Sequence, residues 1–201
     1  MDSCQFRSPC QNENVQQFAD DAIRVTWYVV GALWLILAFR TKRTVRSSGG
    51  MGRIAVIVVV AVLVLARPLS NSSLHNKIWS PSSTWSAGAL AVVILGAAFA
   101  VWARVTIGAN WSGVVTVKED HELIQRGPYH LVRHPIYSGL LLMGLASAVA
   151  YDEVYGFAIL AIAIVAFVPK MMLEEKLMTE QFPDEYPQYR KHVKAIIPYI
   201  V

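Results

Sequence analysis

Blocks of apolar residues separated by short polar connections dominate the pattern of this chain. They occupy residues 23–39, 54–66, 85–102, 136–150 and 154–168. The last two blocks are joined only by Tyr151-Asp152-Glu153, a connection too short for anything but antiparallel neighbours. Because a bilayer core requires about 20 residues per helix, the pattern predicts an all-α, multi-pass transmembrane helical bundle of about five spans.

The regions around these blocks complete the predicted organisation. A single membrane domain, 1–201, is expected to comprise a polar tail, three spans and a functional half, at residues 1–22, 23–104 and 105–201. Tyr186, Tyr189 and Val193 recur at helical spacing in the last part. Such periodicity is typical of an amphipathic helix, which we expect to lie at the cytoplasmic end of the bundle.

Charge is sparse and confined mainly to the flanks of the predicted spans. The chain is 55% hydrophobic and 16% charged, whereas soluble domains carry about 25% charged residues. Two connections hold basic clusters: Arg40, Lys42, Arg43, Arg46 and Arg53 in the first, and Arg104, Lys118, Arg126 and Arg133 in the second. The positive-inside bias and an odd span count predict an outside N-terminus and a cytoplasmic C-terminus. The lipid bilayer is therefore an expected partner, and nucleic acid is not.

A polar segment from His121 to Gly139 adjoins the fourth span without a spacer. Gly127-Pro128 is a strong turn signal. Pro135 suits the first position of a helix and disfavours helical angles at the preceding residue, so His134 is the predicted cap residue. The first N–H groups of that helix would form an anion-binding end. The histidines lack the paired spacing of a metal site, so no metal is predicted.

A second polar cluster follows the fifth span. Lys170 and Glu174 are four residues apart, and this spacing predicts that they share one helical face. Glu175 follows directly. Since ionisable residues at the ends of spans mark functional sites in membrane proteins, we expect this cluster to act together with His134.

These residues resemble the isoprenylcysteine carboxyl methyltransferase family and its prokaryotic relatives. The matching motifs are Asn110-Trp111-Ser112, His121-Glu122-Leu123-Ile124, Gly127-Pro128-Tyr129, the run from Arg133 to Gly139, Glu174-Glu175, and Phe182, Tyr186, Tyr189 and Pro198. The resemblance covers the chain from Ala103 onward. The ordered combination is specific, although His-Pro-x-Tyr alone is not.

The resemblance implies an integral membrane enzyme that uses S-adenosylmethionine and methylates a lipophilic or prenylated acceptor. The implied cofactor contacts are His121, Glu122, Leu123, Ile124, Tyr129, His134, Pro135, Ile136, Tyr137 and Glu174. Lys170 would face the acceptor carboxylate, at a position where family members carry arginine. Lysine supplies the charge without the two-point grip of a guanidinium, so the acceptor is expected to be held more loosely or to differ from prenylcysteine.

Three alternatives stay open at this point. A phospholipid amine is a second type of methyl acceptor, and it would favour a carboxylate such as Glu175 near the attacking atom. A membrane reductase of the steroid 5-alpha-reductase type shares the His-Pro-x-Tyr segment, but its NADPH phosphate would call for additional basic residues. A scaffold or transporter-like bundle is disfavoured because the polar residues cluster at one end of the spans rather than in the middle.

Overall fold

The computed structural model describes residues 9–38, 44–47, 78–79, 82–111, 116–118 and 122–200. Five α-helices lie within them: α1 (Pro9–Ala38), α2 (Ser83–Ile107), α3 (Pro135–Tyr151), α4 (Val154–Gln181) and α5 (Glu185–His192). Short 3-10 turns cover Gly108–Asn110 and Gly127–His130, and the strands β1 (Thr44–Ser47) and β2 (Thr116–Lys118) pair antiparallel. The all-α class is confirmed, with this short strand pair added to it. The second predicted span, 54–66, lies outside the described residues.

Helix α1 begins at Pro9 and not at the start of the first predicted span. The predicted polar tail, 1–22, therefore includes helical residues from Pro9 onward. The reason is that the buried stripe of the helix extends backwards: Ala19, Ile23 and Val30 lie on one face and are almost fully buried. Two of them, Ile23 and Val30, belong to the main core cluster together with Val93 of α2. Packing against the bundle thus continues the helix into polar sequence.

Helices α2 and α3 cross at unusually close range. A Cβ atom added to Gly139 would lie 2.6 Å from the carbonyl oxygen of Gly96 and 2.8 Å from the Cβ of Ala100. The absence of a side chain on these glycines lets the two backbones touch, as small residues do between membrane helices. Met143 and Val93 fill the core beside this crossing. The crossing fixes the start of α3 against the end of α2.

Two helices among the described residues are long and apolar enough to cross a membrane, α2 with its following turn and α4. Helix α3 is a shorter apolar helix of 17 residues. Helix α4 does not stop where the apolar block ends at residue 168, but continues through Pro169 to Gln181, as the spacing of Lys170 and Glu174 predicts. Loss of apolarity marks where a span leaves the bilayer, not where the helix stops. Lys170, Glu174 and Glu175 consequently lie on a rigid helix.

The predicted hairpin of the last two spans is confirmed, with α3 ending at Tyr151 and α4 beginning at Val154. Asp152 is fully buried in the connection and adopts a left-handed conformation, with a φ of 57°. Its carboxylate accepts hydrogen bonds from the backbone N–H groups of Ile78 and Trp79, at 3.2 and 2.7 Å. The hairpin tip therefore holds the chain segment that leads toward α2.

Candidate functional site

The candidate site lies where the first turn of α3 meets the second half of α4. Pro135 opens α3 and His134 occupies the cap position, as the sequence predicts. The His134 side chain makes no cap hydrogen bond. Its ring is instead buried and directed toward two carboxylates of α4, those of Glu174 and Glu175. The cap position thus brings an imidazole from one helix into contact with the acidic pair of the next.

Glu175 has more hydrogen-bond and ion-pair partners than Glu174. Arg133 donates to its Oε1 from Nε at 2.9 Å and from Nη2 at 2.6 Å, and His134 Nε2 lies 3.2 Å from the same oxygen. The guanidinium of Arg190 lies 3.5 Å from Oε2. An ionised carboxylate only accepts hydrogen bonds, so His134 Nε2 must carry the proton in this contact. The arrangement favours a positioning role for Glu175 over contact with an amine acceptor.

Glu174 faces a more open environment. The hydroxyl of Tyr137 donates to its Oε1 at 2.7 Å, the ammonium of Lys170 lies 3.8 Å away, and His134 Nδ1 lies 3.6 Å from Oε2. Its side chain is 26% exposed, against 14% for Glu175. The distances from Glu174 to the Lys170 ammonium and to His134 Nδ1 exceed the usual hydrogen-bond length. Glu174 therefore has capacity left to bind a polar ligand.

Lys170 lies above the aromatic ring of Tyr137, with its ammonium 5.4 Å from the ring centroid. A cation at this distance is attracted by the negative face of the ring. The Tyr137 ring also has an apolar neighbour, because the ring of Phe167 packs against it with the two centroids 4.9 Å apart. Lys170 thus combines a charge with an apolar neighbourhood at the end of the predicted fifth span.

A segment after α5, residues 193–196, which we call the strap, closes one side of the site. The backbone N–H groups of Arg133 and His134 donate to the carbonyls of Lys194 and Ala195, at 2.8 and 2.9 Å. The Arg133 side chain reaches the strap as well, because its Nη1 donates to the carbonyl of Val193 at 2.5 Å. Arg133 therefore joins three parts of the chain: the start of α3, Glu175 on α4, and the strap.

Aromatic residues of α5 pack beside the strap. Tyr186, Tyr189 and Val193 are buried together, which confirms the predicted amphipathic face, and Leu123 packs against them. The hydroxyl of Tyr189 donates to the backbone carbonyl of Tyr129 at 2.5 Å. Burial raises the pKa of the Tyr129, Tyr186 and Tyr189 hydroxyls. These hydroxyls therefore stay protonated at neutral pH, and that of Tyr189 acts as a hydrogen-bond donor.

The predicted site residues separate into three groups. Direct contacts join His134, Tyr137, Lys170, Glu174 and Glu175. Others border this centre without a polar contact to it: Leu123 and Tyr129 lie against α5, Pro135 is buried, Ile124 and Ile136 are half-buried, and Glu122 is exposed. His121 lies outside the described residues.

Three arginines have roles that the sequence analysis missed. The sequence pattern places Arg133 and Arg104 in positive-inside clusters, and Arg133 also in the family motif, but it predicts no tertiary contact for either and no role for Arg190. The assignment of Arg104 to a loop is wrong: it is 2% exposed, and it donates to the carbonyls of Leu37 and Gly108 at 2.6 and 2.9 Å. Its position four residues before a helix-ending glycine was the available signal, because cations favour helix C-termini.

Comparison with known proteins finds similarity to one family. A model of the isoprenylcysteine carboxyl methyltransferase (ICMT) family matches residues 89–180. The protein-S-isoprenylcysteine O-methyltransferase of Schizosaccharomyces pombe is 31% identical over 121 residues, covering 59% of this chain and 51% of the relative. The protein-S-isoprenylcysteine O-methyltransferase B of Arabidopsis thaliana is 25% identical over 114 residues, covering 55% of this chain and 58% of the relative. The chain thus spans between half and three fifths of the length of these relatives.

A solved structure shares the fold. The eukaryotic intramembrane Ras methyltransferase ICMT, determined without a monobody, superposes with a TM-score of 0.53 and 22% identity, covering 78% of this chain and 55% of that one. The fold of this chain is therefore similar to the fold of that structure. The matched region contains the crossing of α2 with α3 and all of the residues in direct contact at the site. Over residues 89–180 the chain is thus similar to the isoprenylcysteine carboxyl methyltransferase family.

Proposed function

We propose that this protein transfers a methyl group from S-adenosylmethionine to the carboxylate of a lipophilic, isoprenylcysteine-like acceptor at the cytoplasmic membrane interface. One observation carries the proposal. A partly open carboxylate, Glu174, lies beside a lysine, a tyrosine hydroxyl and an imidazole at the end of an apolar helix. Such a site can receive a charged cofactor and an apolar acceptor together. The curated relatives named above support the same activity.

The residues present fit the cofactor. S-adenosylmethionine carries an ammonium group, hydroxyls and a positively charged sulfur, all of which a carboxylate can accept or neutralise. Glu174 has the exposure and the unfilled acceptor capacity to do so, and the half-buried side chains of Leu123 and Ile124 offer apolar contacts. When bound, the cofactor would supply a methyl group attached to a positively charged sulfonium sulfur, which would leave as a neutral thioether.

The residues of this chain then have to align and desolvate the acceptor. A carboxylate acceptor is already ionised at neutral pH, so no side chain needs to remove a proton from it. The ammonium of Lys170 has three donors, and its 3.8 Å separation from Glu174 leaves them available to the acceptor. Phe167 and the rest of the apolar end of the span exclude water. Alignment and exclusion of water supply most of the rate enhancement in such a reaction.

The cofactor part of the proposal is tested by binding measurements on Glu174→Gln. The amide keeps the size of the side chain and an acceptor for Tyr137 but loses the charge. We expect an affinity for S-adenosylmethionine about tenfold lower in titration calorimetry, the loss that follows from one charged hydrogen bond. Glu185→Gln, which changes an exposed carboxylate of α5, is the matched control and should bind as the native protein does. Binding of NADPH but not of S-adenosylmethionine by the native protein would contradict the proposal.

Lys170→Ala tests the acceptor part. We expect the affinity for S-adenosylmethionine to stay within about twofold while turnover of a prenylcysteine analogue falls about tenfold, because one charged contact to the acceptor is lost. Lys170→Arg should retain turnover, since a guanidinium can hold the same carboxylate. Lys176→Ala, on the same helix but exposed, controls for a general change of charge. Equal losses of cofactor affinity and turnover in Lys170→Ala would remove the proposed role.

A further inference from the structure

The strap runs toward the membrane. Val132 and Lys194 form a parallel bridge, so residues 193–196 advance in the same direction as the chain that enters α3. Ser138, in the first turn of α3, donates from its Oγ to the carbonyl of Ile196 at 2.7 Å. The strap has therefore already passed the start of the apolar helix by this residue.

The depth of Ile196 relative to the membrane can be inferred from α2, the neighbouring apolar helix. Gly139, next to Ser138, packs against Ala100 of α2. Ala100 precedes Trp102, the aromatic residue that ends the predicted third span, and Trp102 is exposed. Tryptophans concentrate at the membrane–water interface. The strap therefore delivers the chain to the level of the bilayer surface.

The residues that follow the strap, 197–200, are apolar and face outward. Ile197, Tyr199 and Ile200 are 48, 91 and 69% exposed. The backbone N–H of Ile200 donates to the carbonyl of Ile197 at 3.1 Å, which closes a turn. A compact turn that presents two isoleucines and a tyrosine to water would be unfavourable, whereas the same side chains suit the interfacial region of a bilayer.

Basic side chains accompany this turn. Lys191, on the last turn of α5, and Lys194, on the strap, are both exposed. Apolar residues next to lysines are the combination found in segments that lie on membranes, where the apolar part enters the interface and the lysines contact anionic headgroups. The charge of this surface is thus complementary to that of an anionic leaflet.

We infer that residues 197–200 are a membrane anchor that inserts beside α3 into an anionic lipid surface, with Lys191 and Lys194 bound to lipid headgroups. The anchor holds the strap against α3 from its far end. Arg133 holds the strap at its near end, through Val193. The inference depends on the direction of the strap and not on the proposed methyl transfer.

The test uses the full-length chain with its two cysteines, Cys4 and Cys10, replaced by serine. A water-sensitive fluorophore is attached at Ile200→Cys, and the protein is reconstituted in nanodiscs of phosphatidylcholine or of an equal mixture with phosphatidylglycerol. We expect a blue-shifted emission that is quenched by lipids carrying a shallow spin label. The fraction of molecules with the probe inserted in the lipid should be larger in the discs that contain phosphatidylglycerol than in those of phosphatidylcholine alone. A probe at Gln188→Cys, on the exposed side of α5, is the control and should stay water-like.

The lysines are tested with Lys191→Glu and Lys194→Glu in the probe background. Each lysine near an anionic surface should change the inserted-to-free ratio about fivefold, so the double variant should lose the response to phosphatidylglycerol. Thermal unfolding of each variant verifies that the bundle is intact. Emission and quenching at position 200 equal to those at position 188 would overturn the anchor. Quenching that is independent of phosphatidylglycerol would overturn the role of the lysines.

Discussion

Replacing Arg133 by alanine is expected to lower the free energy of unfolding by about 3 kcal/mol, the cost of removing one partner from a largely buried ion pair. Glu175 would lose both of its hydrogen bonds from the guanidinium, and the carbonyl of Val193 would lose its donor. The buried carboxylate would then depend on His134 and the more distant Arg190. Equilibrium unfolding in mixed micelles, followed by tryptophan fluorescence, measures the change.

The comparison with Arg190→Ala makes this prediction specific. Arg190 approaches the same carboxylate at 3.5 Å, but its side chain is 60% exposed, and exposed ion pairs contribute at most about 1 kcal/mol. The double variant Arg133→Ala with Glu175→Ala should lose about 2 kcal/mol less stability than the sum of the losses in the two single variants. If Arg133→Ala lowers the free energy of unfolding no more than Arg190→Ala does, Arg133 does not hold the start of α3, α4 and the strap together.

Gly139→Ala is expected to destabilise the bundle by about 2 kcal/mol, although alanine is the better helix former. The new Cβ would lie 2.6 Å from a backbone oxygen of Gly96 and 2.8 Å from Ala100. Neither neighbour is the end of a flexible side chain, so α2 and α3 would have to move apart. Overpacking at such a contact costs about 1–3 kcal/mol. The same unfolding measurement applies, and the cofactor affinity should fall with it because α3 carries His134 and Tyr137.

Gly88→Ala is the matched control for the crossing. Gly88 lies on the same helix as Gly96, and a Cβ there would meet no atom within 4 Å. The substitution should be neutral or stabilise α2 by about 0.5 kcal/mol, through helix propensity alone. Similar losses of stability in the two variants would contradict the close approach of α2 and α3.

The sequence predicted those features that depend on local chemistry. Pro135 fixed the start of α3 and the cap position of His134, because proline restricts the residue before it. The three-residue connection around Asp152 fixed the hairpin, and the four-residue spacing of Lys170 and Glu174 placed both on one face. The ordered motifs predicted the similarity to the isoprenylcysteine carboxyl methyltransferase family. None of these inferences required knowledge of distant contacts.

The remaining features depend on contacts that no local pattern reveals. The start of α1 at Pro9 follows from burial of Ala19 against the bundle, which the polar composition of residues 9–22 conceals. Arg104 looked like a loop residue because one of its acceptor carbonyls, that of Leu37 on α1, lies 67 residues away. Arg133 directly precedes the predicted cap residue, but its role depends on a carboxylate 42 residues away. Tertiary structure decides the function of such residues.

The continuity of α4 through Pro169 has a mechanical consequence. Proline lacks the N–H that would complete the helical ladder, so the turn just before Lys170 is where the helix bends at the lowest cost. Bending at this point would turn Glu174 and Glu175 relative to the preceding residues of α4, whose tilt depends on the bilayer. A change in bilayer thickness would therefore alter the angle between the two parts of α4, and the surrounding membrane becomes part of the geometry of the candidate site.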